Sequence, residues 1–447
     1  MKHYEMDMST GSLWKKILAF SGPLMFSNLL QVVFNLSDVA VVGKFSGATA
    51  LGAVGSTTIL ISLFTGIFLG LGGGVNVLTA LHIGSKHDDR VRETVHTSAI
   101  FCLALGLVVM IAGIALTDTV LTAMHTKDEL IGEASQYLKI YLVSMPALAM
   151  YNCGNSILSA AGDTKRPLYY LLFAGILNVI LNLVFVIVFK LGVVGVGLAS
   201  VIAQYVSASL VTIALFRSHE AYGLKLKYFK VTPDKLTRLI QLGIPAAFQY
   251  ALFAIANIFV QVSVNSFDHV VVEGNSAAAN ADTIIYDVMA AFYTACASFI
   301  AQNRGAGNKK RIMHSYLISV LYSFGIGLIL GGCLFVFRTA FLSMFTSDPA
   351  VMKTGYDRIS IMALSYCVSA FMDCTTAASR GLGKSIFPTA AVIGGAVVFR
   401  IAWIYTIFAY FHTIQSLYLL YVFSWTITAI VEIIYFIHSY RHLEIQT

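Results

Sequence analysis

Charge is what this chain has least of. Asp, Glu, Lys and Arg make up 11% of its 447 residues, against ~25% in an ordinary soluble domain. A soluble protein of this length could not cover its surface with so few charges. Proline is scarce as well, with 7 residues beside 35 glycines, a balance that suits helices which pack closely and bend in lipid. The six cysteines, Cys102, Cys153, Cys296, Cys333, Cys367 and Cys374, all fall in apolar stretches and form no CxxC. They read as small packing residues, not as metal ligands or disulfides. Motifs of enzyme chemistry are missing: there is no Walker-type phosphate loop, no GxSxG and no HExxH. The 11 His are scattered, and no pair has metal-ligand spacing with a carboxylate partner. An enzyme is therefore not expected, nor a bound cofactor, nor direct use of ATP; an ion gradient is the default energy source. Residues 1–11 contain Glu5 and Asp7 and no apolar core, so no cleavable signal is expected and the first apolar helix does the targeting.

What is abundant is apolar surface. Hydrophobic residues reach 57%, with 30 Phe and 22 Tyr, and the mean hydropathy is +0.78. A disordered or fibrous chain cannot leave that much apolar surface in water. The reading is an all-α polytopic membrane protein. A span needs ~20 apolar residues, and twelve candidates fit: 16–42, 52–80, 95–117, 137–159, 168–189, 194–216, 239–264, 277–302, 315–337, 357–379, 387–411 and 415–437. Only one connection is long, the basic segment 217–238. It separates an N-lobe, 1–216 with helices 1–6, from a C-lobe, 239–447 with helices 7–12 and a short tail. The triple glycine Gly72, Gly73, Gly74 reads as an interruption of helix 2, for close packing or flexing.

The net charge of +7 sits between apolar stretches, so it speaks for membrane orientation and not for nucleic acid. With the termini placed in the cytoplasm, 21 of the 29 Lys and Arg fall on that side and 7 on the other. Arg400 lies within a span. The positive-inside rule then puts both termini and the 217–238 linker in the cytoplasm of a plasma-membrane protein.

The chain repeats itself. TALHIGSKHDDRV at 79–91 is similar to IAQNRGAGNKKRI at 300–312, and AAGDTKRP at 160–167 to RGLGKSIFP at 380–388. Gly84 and Gly305, Arg90 and Arg311, Cys153 and Cys374, Gly162 and Gly383, and Pro167 and Pro388 are all separated by one and the same offset, and Pro23 and Pro245 exceed it by a single position. Two pseudo-symmetric six-helix lobes follow. An even helix count in each makes the repeats parallel, a transporter architecture with substrate expected near the midplane.

Ionisable groups inside spans need a reason, since each costs at least ~2.5–3.5 kcal/mol at the bilayer centre. Asp38 in helix 1, Asp287 in helix 8, Asp373 in helix 10 and Glu432 in helix 12 are such acids, and Arg400 is the matching base. Asp38 reads as a cation or proton site, with a helix-capping interface residue as the alternative. Asn178 and Asn182 share one face of helix 5 at i, i+4. Their carbonyl oxygens can take Na⁺ and their amides can hold a carboxylate; interhelical packing is the competing use. Ser200 and Gln204 repeat that spacing in helix 6. Helix 7 carries a polar stripe, Gln249, Asn257, Gln261 and Asn265, read with Asp287, Asp373 and Arg400 as lining a substrate path. Arg400 is expected to neutralise Asp373 or Asp287, and Glu432 to snorkel toward the membrane surface.

The stretches SGPLMFSNLLQVVFNLSDVAVVGKFSGATALGAVG, IGSKHDDRVRETV, AAGDTKRPLYY, GVVGVGLASVIAQ and IAQNRGAGNKKR, in this order and partly duplicated, resemble the multidrug and toxic compound extrusion (MATE) family over residues 11–437. The resemblance implies a twelve-helix, two-lobed antiporter that expels organic cations in exchange for Na⁺ or H⁺. It puts the family's helix 1 acid on Asp38, its helix 5 polar pair on Asn178 and Asn182, and a helix 6 hydroxyl on Ser200, where Thr is common. Some members have Asp at the second helix 5 position; Asn182 leaves Asp38 as the only acid of that site. One branch has Glu eight residues after the helix 7 proline. Phe253 stands there, so the implied coupling site is in the N-lobe: Asp38, Asn178 and Asn182 with Ser200, for H⁺ or Na⁺. Asp287 also resembles an acid of some members. The expected partners are amphipathic cationic small molecules and the lipid bilayer, and the expected state is a monomer. The alternative is a lipid-linked oligosaccharide flippase of the same superfamily, against which stand the bare twelve helices and the single central base, Arg400. A membrane-embedded enzyme would need a reactive constellation, which is missing, and a channel rarely shows a two-lobed repeat with one asymmetric acid.

Overall fold

The computed structural model describes residues 5–444, and it is almost entirely helical. Twelve helical segments follow in chain order: α1 Leu13–Phe45, α2 Gly47–Gly84, α3 Asp88–Ala123, α4 from Asp128–Leu142 and Met145–Ala160, α5 Lys165–Val188, and α6 Gly192–Arg217. The second set is α7 Pro233–Val264, α8 His269–Gly305, α9 Lys309–Val336, α10 from Pro349–Met362 and Tyr366–Gly381, α11 Ile386–Phe411, and α12 Ile414–Arg441. Ten of these are single helices long and apolar enough to cross a bilayer, and α10 makes an eleventh span, bent by 47° at its break. The twelfth, α4, is broken at the matching place. Its second segment starts at Met145 after Ser144, and that of α10 at Tyr366 after Ser365, the equivalent positions in the register of the repeat.

The chain resolves into two compact units whose boundaries differ from a plain cut at the middle. The first holds residues 26–247 with the described part of the first seven; the second holds Met8–Met25 and the chain from Phe248 onward. Helices α1 and α7 each change unit two residues after a proline, Pro23 and Pro245. Proline removes a helical hydrogen bond and crowds the preceding turn, so both positions are natural bends.

Within the first unit, glycines explain why the start of α7 belongs there. A Cβ on Gly74 would lie 2.9 Å from the Gly243 amide nitrogen, and one on Gly70 would overlap the Ala247 backbone. Gly243 in turn faces Leu71, at 2.9 Å from its side chain. Small residues let these backbones touch, the packing device of helices in lipid. Helix α2 runs unbroken through Gly72–Gly74, so the expected interruption is corrected: two of the three glycines serve close contact. Gly72 admits Ser156, while Gly73 has open space.

Within the second unit, residues 8–25 are anchored just as specifically. The Met8 amide donates to Gln302 Oε1 at 2.6 Å, and Arg311 donates to the carbonyls of Met8, Thr10 and Gly11 at 2.9–3.0 Å. Trp14 stands edge-on to Tyr322, and Phe20 edge-on to Phe299.

The repeat register lengthens by a single position along α11, and the backbone shows why. A π-helical turn closes α5 at Val184–Val188 and has its counterpart at Ile404–Phe408 in α11. Helix α11 holds a second π turn, Gly394–Val398, with no equivalent in α5. A π turn accommodates one extra residue. Accordingly the helix starts Lys165 and Ile386 keep the offset of the repeat, whereas the left-handed residues after the helices, Lys190 and His412, are one position further apart.

The basic segment 217–238 is not a free linker. Lys225 donates its amide to His96 Nε2 at 3.0 Å, Thr232 donates to Thr97 Oγ1 at 3.0 Å, and Leu226–Tyr228 forms a turn of 3-10 helix. The Tyr222 hydroxyl donates to Glu5 and accepts from Arg166, which pairs with the fully buried Asp163. Burial and the neighbouring Glu5 carboxylate push the Tyr222 phenol up to about 12, so it stays a donor.

Candidate functional site

In the first unit, three helices bring one acid and three neutral polar groups together. Asp38 lies in the last two turns of α1, Asn178 and Asn182 one turn apart on α5, and Ser200 on α6. Asn182 Nδ2 donates to Asp38 Oδ1 at 2.5 Å and shares Asn178 Oδ1 at 3.2 Å. Ser200 Oγ donates to Asp38 Oδ2 at 3.2 Å and lies 3.4 Å from Asn178 Nδ2. Asn178, Asn182 and Ser200 are buried, Asn182 completely, while Asp38 is only partly so. The local reasons are plain. Gly175, one turn before Asn178, leaves room for the Phe34 ring of α1, which draws α5 against α1. The π turn begins two residues after Asn182, at the kind of position where such turns mark functional sites.

Among the described residues Asp38 forms no ion pair with a base; its charge is met by an amide and a hydroxyl. One buried oxygen of the cluster, Asn182 Oδ1, accepts no hydrogen bond from the described residues. The cluster therefore offers two carboxylate oxygens, a free amide oxygen and a hydroxyl, a set of hard donors that suits H⁺ on the carboxylate or a cation such as Na⁺ among the oxygens. No group of three or more His, Cys, Asp or Glu side chains gathers as a metal site among the described residues. Tyr137 and Tyr141 of α4 share an apolar cluster with Val41 and Val42, the residues of α1 one turn beyond Asp38; they had no signal beyond being tyrosines in an apolar helix.

The second unit distributes its polar residues differently from the expected stripe. Gln249 accepts from Arg380 Nη2 at 2.7 Å, and Asn257 lies 3.4 Å from Arg400 Nη1. Gln261 is exposed and donates to Asn265 at 2.9 Å. Arg400, 2% exposed, donates to Ser424 Oγ at 3.2 Å and lies over the rings of Tyr421 and Phe253 at 4.6 and 5.7 Å. Among the described residues no salt bridge joins Arg400 to Asp373, although the two charges lie within electrostatic reach of one another; at close range the guanidinium, buried between aromatic faces, is met by π electrons and neutral oxygens. In the stepped register Arg400 stands where Asn178 stands in the first half, and each donates to a serine of the following helix, Ser424 lying two positions beyond the equivalent of Ser200. The same place in the fold carries a neutral amide in one half and a base in the other. Asp373 and Asp287 are both partly buried.

Two further corrections concern charges. Glu432 does not snorkel; it is 0% exposed. Arg358, counted among the outer bases, is 4% exposed and pairs with Asp282 of α8, an acid the reading of the spans passed over. Arg358 Nη1 also donates to Asn275 at 2.8 Å, and the Tyr366 hydroxyl donates to Asp282. A base beginning the tenth span, which needs an acid inside the bundle, was the available signal. Of the six cysteines, all free, five are buried as expected and Cys333 is exposed.

A profile of the MatE family matches the chain twice, over residues 23–184 and 245–406, once in each half of the repeat. Among curated proteins, the probable multidrug resistance protein YoeA of Bacillus subtilis is 26% identical over 390 residues, covering 85% of this chain and 84% of its own. The probable multidrug resistance protein YpnP of the same organism is 29% identical over 374 residues, covering 82% and 81%. Among solved structures, a MATE transporter crystallised with the ligand MaL6 superposes with a TM-score of 0.92 over 99% of both chains at 21% identity, which bears on the fold.

Proposed function

We infer the function from one premise: the chain belongs to the MatE family, and so is a multi-pass membrane transporter and not an enzyme. We propose that it exports amphipathic organic cations in exchange for H⁺ or Na⁺. The observation that carries this is the cluster in the first unit, where Asp38 is held by Asn182 and Ser200 without a base. An ionised carboxylate shielded only by neutral donors is costly to keep away from water. Taking up a proton, or a Na⁺ among the Asp38, Asn182, Asn178 and Ser200 oxygens, removes that cost. The two conformations of an alternating-access protein need only differ in how well they solvate Asp38 for ion binding to bias one of them. An exported cation that favours the other conformation then competes with the ion through the shared equilibrium, and exchange follows. Aromatic and methionine side chains supply adaptable apolar contact and cation–π attraction to such substrates. The protein acts as a monomer in the cell (inner) membrane, with both termini in the cytoplasm.

The test is dye efflux from proteoliposomes carrying the full chain, with Na⁺ and pH gradients imposed separately. Export driven by at least one gradient, and faster for a cationic than for an anionic dye, is expected. Export that ignores both gradients, or that carries both dyes equally, overturns the reading.

A further inference from the structure

The coupling cluster leaves the buried charges of the second unit without a use, and one of them is incompletely partnered. Glu432 of α12 is 0% exposed, and neither of its carboxylate oxygens accepts a hydrogen bond among the described residues. Its polar neighbour Thr376 on α10 donates its hydroxyl to the Met372 carbonyl at 3.0 Å, so that proton is spent. One turn further along α10 lies Arg380. Its Nη2 donates to Gln249 of α7 at 2.7 Å, while its buried Nε has no acceptor. A carboxylate with two idle acceptors and a guanidinium with an idle donor thus sit on two helices packed against one another, α12 and the second segment of α10, and their charges act on one another, yet they are not joined.

We propose that Glu432 is a proton-binding site of the second unit, and that releasing its proton draws Arg380 from Gln249 to the Glu432 carboxylate. In the conformation described here the acid is neutral, which is how a buried carboxyl group without donors avoids the cost of its charge. When the O–H bond breaks and the proton leaves to water, the carboxylate needs charge-assisted donors. Arg380 supplies them, and α7 loses the tie to α10 that Gln249 makes four residues after Pro245. The other groups that face Glu432 are few. Asp373 of α10 and Tyr316 of α9 share its surroundings, and a charge on Asp373 favours keeping the proton. The stretch of α11 against α12, residues 386–398, has no ionisable side chain. Arg400 is engaged with Ser424, about 12 Å along α12, and Arg358 over Tyr418, about 21 Å along it. The site is separate from Asp38, which lies in the other unit, and stands whichever ion Asp38 takes.

Infrared difference spectroscopy of the reconstituted full chain reads protonated carboxyl groups through their C=O stretch as pH is raised. Glu432→Gln is expected to remove one component of that signal, Glu432→Asp to retain it, and Asp38→Asn to leave it in place, so failure here is distinct from failure of the Asp38 site. Arg380→Gln is expected to move the loss of the component upward by about one to three pH units, the effect of removing an adjacent opposite charge. Gln249→Ala, which frees the guanidinium, is expected to move it downward. A Glu432→Gln spectrum identical to that of the unaltered chain overturns the proposal. If Glu432→Gln does not fold, an Arg380→Gln chain whose component disappears at the unaltered pH overturns it equally.

Discussion

Asp38 and Arg358 show two ways of keeping a charge among helices, with different consequences for function and stability. Asp38 is met by neutral donors only, the arrangement on which the proposed ion exchange rests. Asp38→Asn is nearly isosteric and retains a side chain able to bond Asn182 and Ser200, so thermal stability in detergent should be unchanged. Gradient-driven efflux should fall to that of protein-free liposomes. Asn178→Ala, which removes the support behind Asn182 and Ser200 but leaves the acid, should reduce coupling without abolishing it. Efflux at the unaltered rate by Asp38→Asn under both gradients would move the coupling site to Asp287 or Asp373. Arg358, by contrast, is locked by Asp282, Asn275 and the rings of Tyr418 and Tyr421. Removing one partner of a buried pair strands the other, at a cost of about 3–5 kcal/mol. Arg358→Met alone should therefore lower the melting temperature markedly, and Arg358→Met with Asp282→Leu much less, because no orphaned charge remains. A double variant as unstable as the single one would show that shape, not charge pairing, sets the role of Arg358.

Helices in this chain meet through glycine where backbones touch and through inserted residues where a face must turn. Gly70 and Gly73 lie in the same apolar helix, yet a Cβ on Gly70 would overlap the Ala247 backbone while one on Gly73 meets nothing within 4 Å. Gly70→Ala should cost about 1–3 kcal/mol, as overpacking of a close contact does, and Gly73→Ala should cost nothing or stabilise slightly; thermal denaturation of the two variants checks the contrast. The apolar runs and the near-constant offset made the number of helices and their pairing across the repeat readable from sequence, because burial in lipid is written in composition. The breaks in α4 and α10 were not readable, since Ser144 and Ser365 are not breakers by type. Nor was the change of unit along α7, which depends on what Gly70 and Gly74 touch, or along α1, whose approach and start are held by Gln302, Arg311, Tyr322 and Phe299. The i, i+4 amides of α5 announced a polar face, and Asp38 announced a charge needing one. Asp282 and Arg358 lie on different helices far apart in the chain, and no spacing signal joins them. Nothing in sequence distinguished the neutral surroundings of Arg400 from an ion pair either, because the π turn that sets its helix face leaves only a one-residue slip in the repeat.

For the molecule as a whole, direction in the membrane rests on charge in the connections. With the even helix count expected in each half, a single assignment fixes the direction of every span. Lys and Arg bias orientation because their translocation is disfavoured, whereas Asp and Glu contribute little. Burial of Arg358 removes one base from the minority side and sharpens the asymmetry. The 217–238 segment concentrates basic residues and is packed against α3 through His96 and Thr97, so it stays with the end of the first unit where α3 begins. Lys227 is exposed on it. A chain with Lys227→Cys as its only accessible thiol, Cys333 having been replaced because it too is exposed, should resist a membrane-impermeant thiol reagent added to intact cells. The same chain should label in inverted membrane vesicles. Labelling in intact cells and protection in inverted vesicles would reverse the orientation of every helix, and with it the direction of the proposed exchange at Asp38.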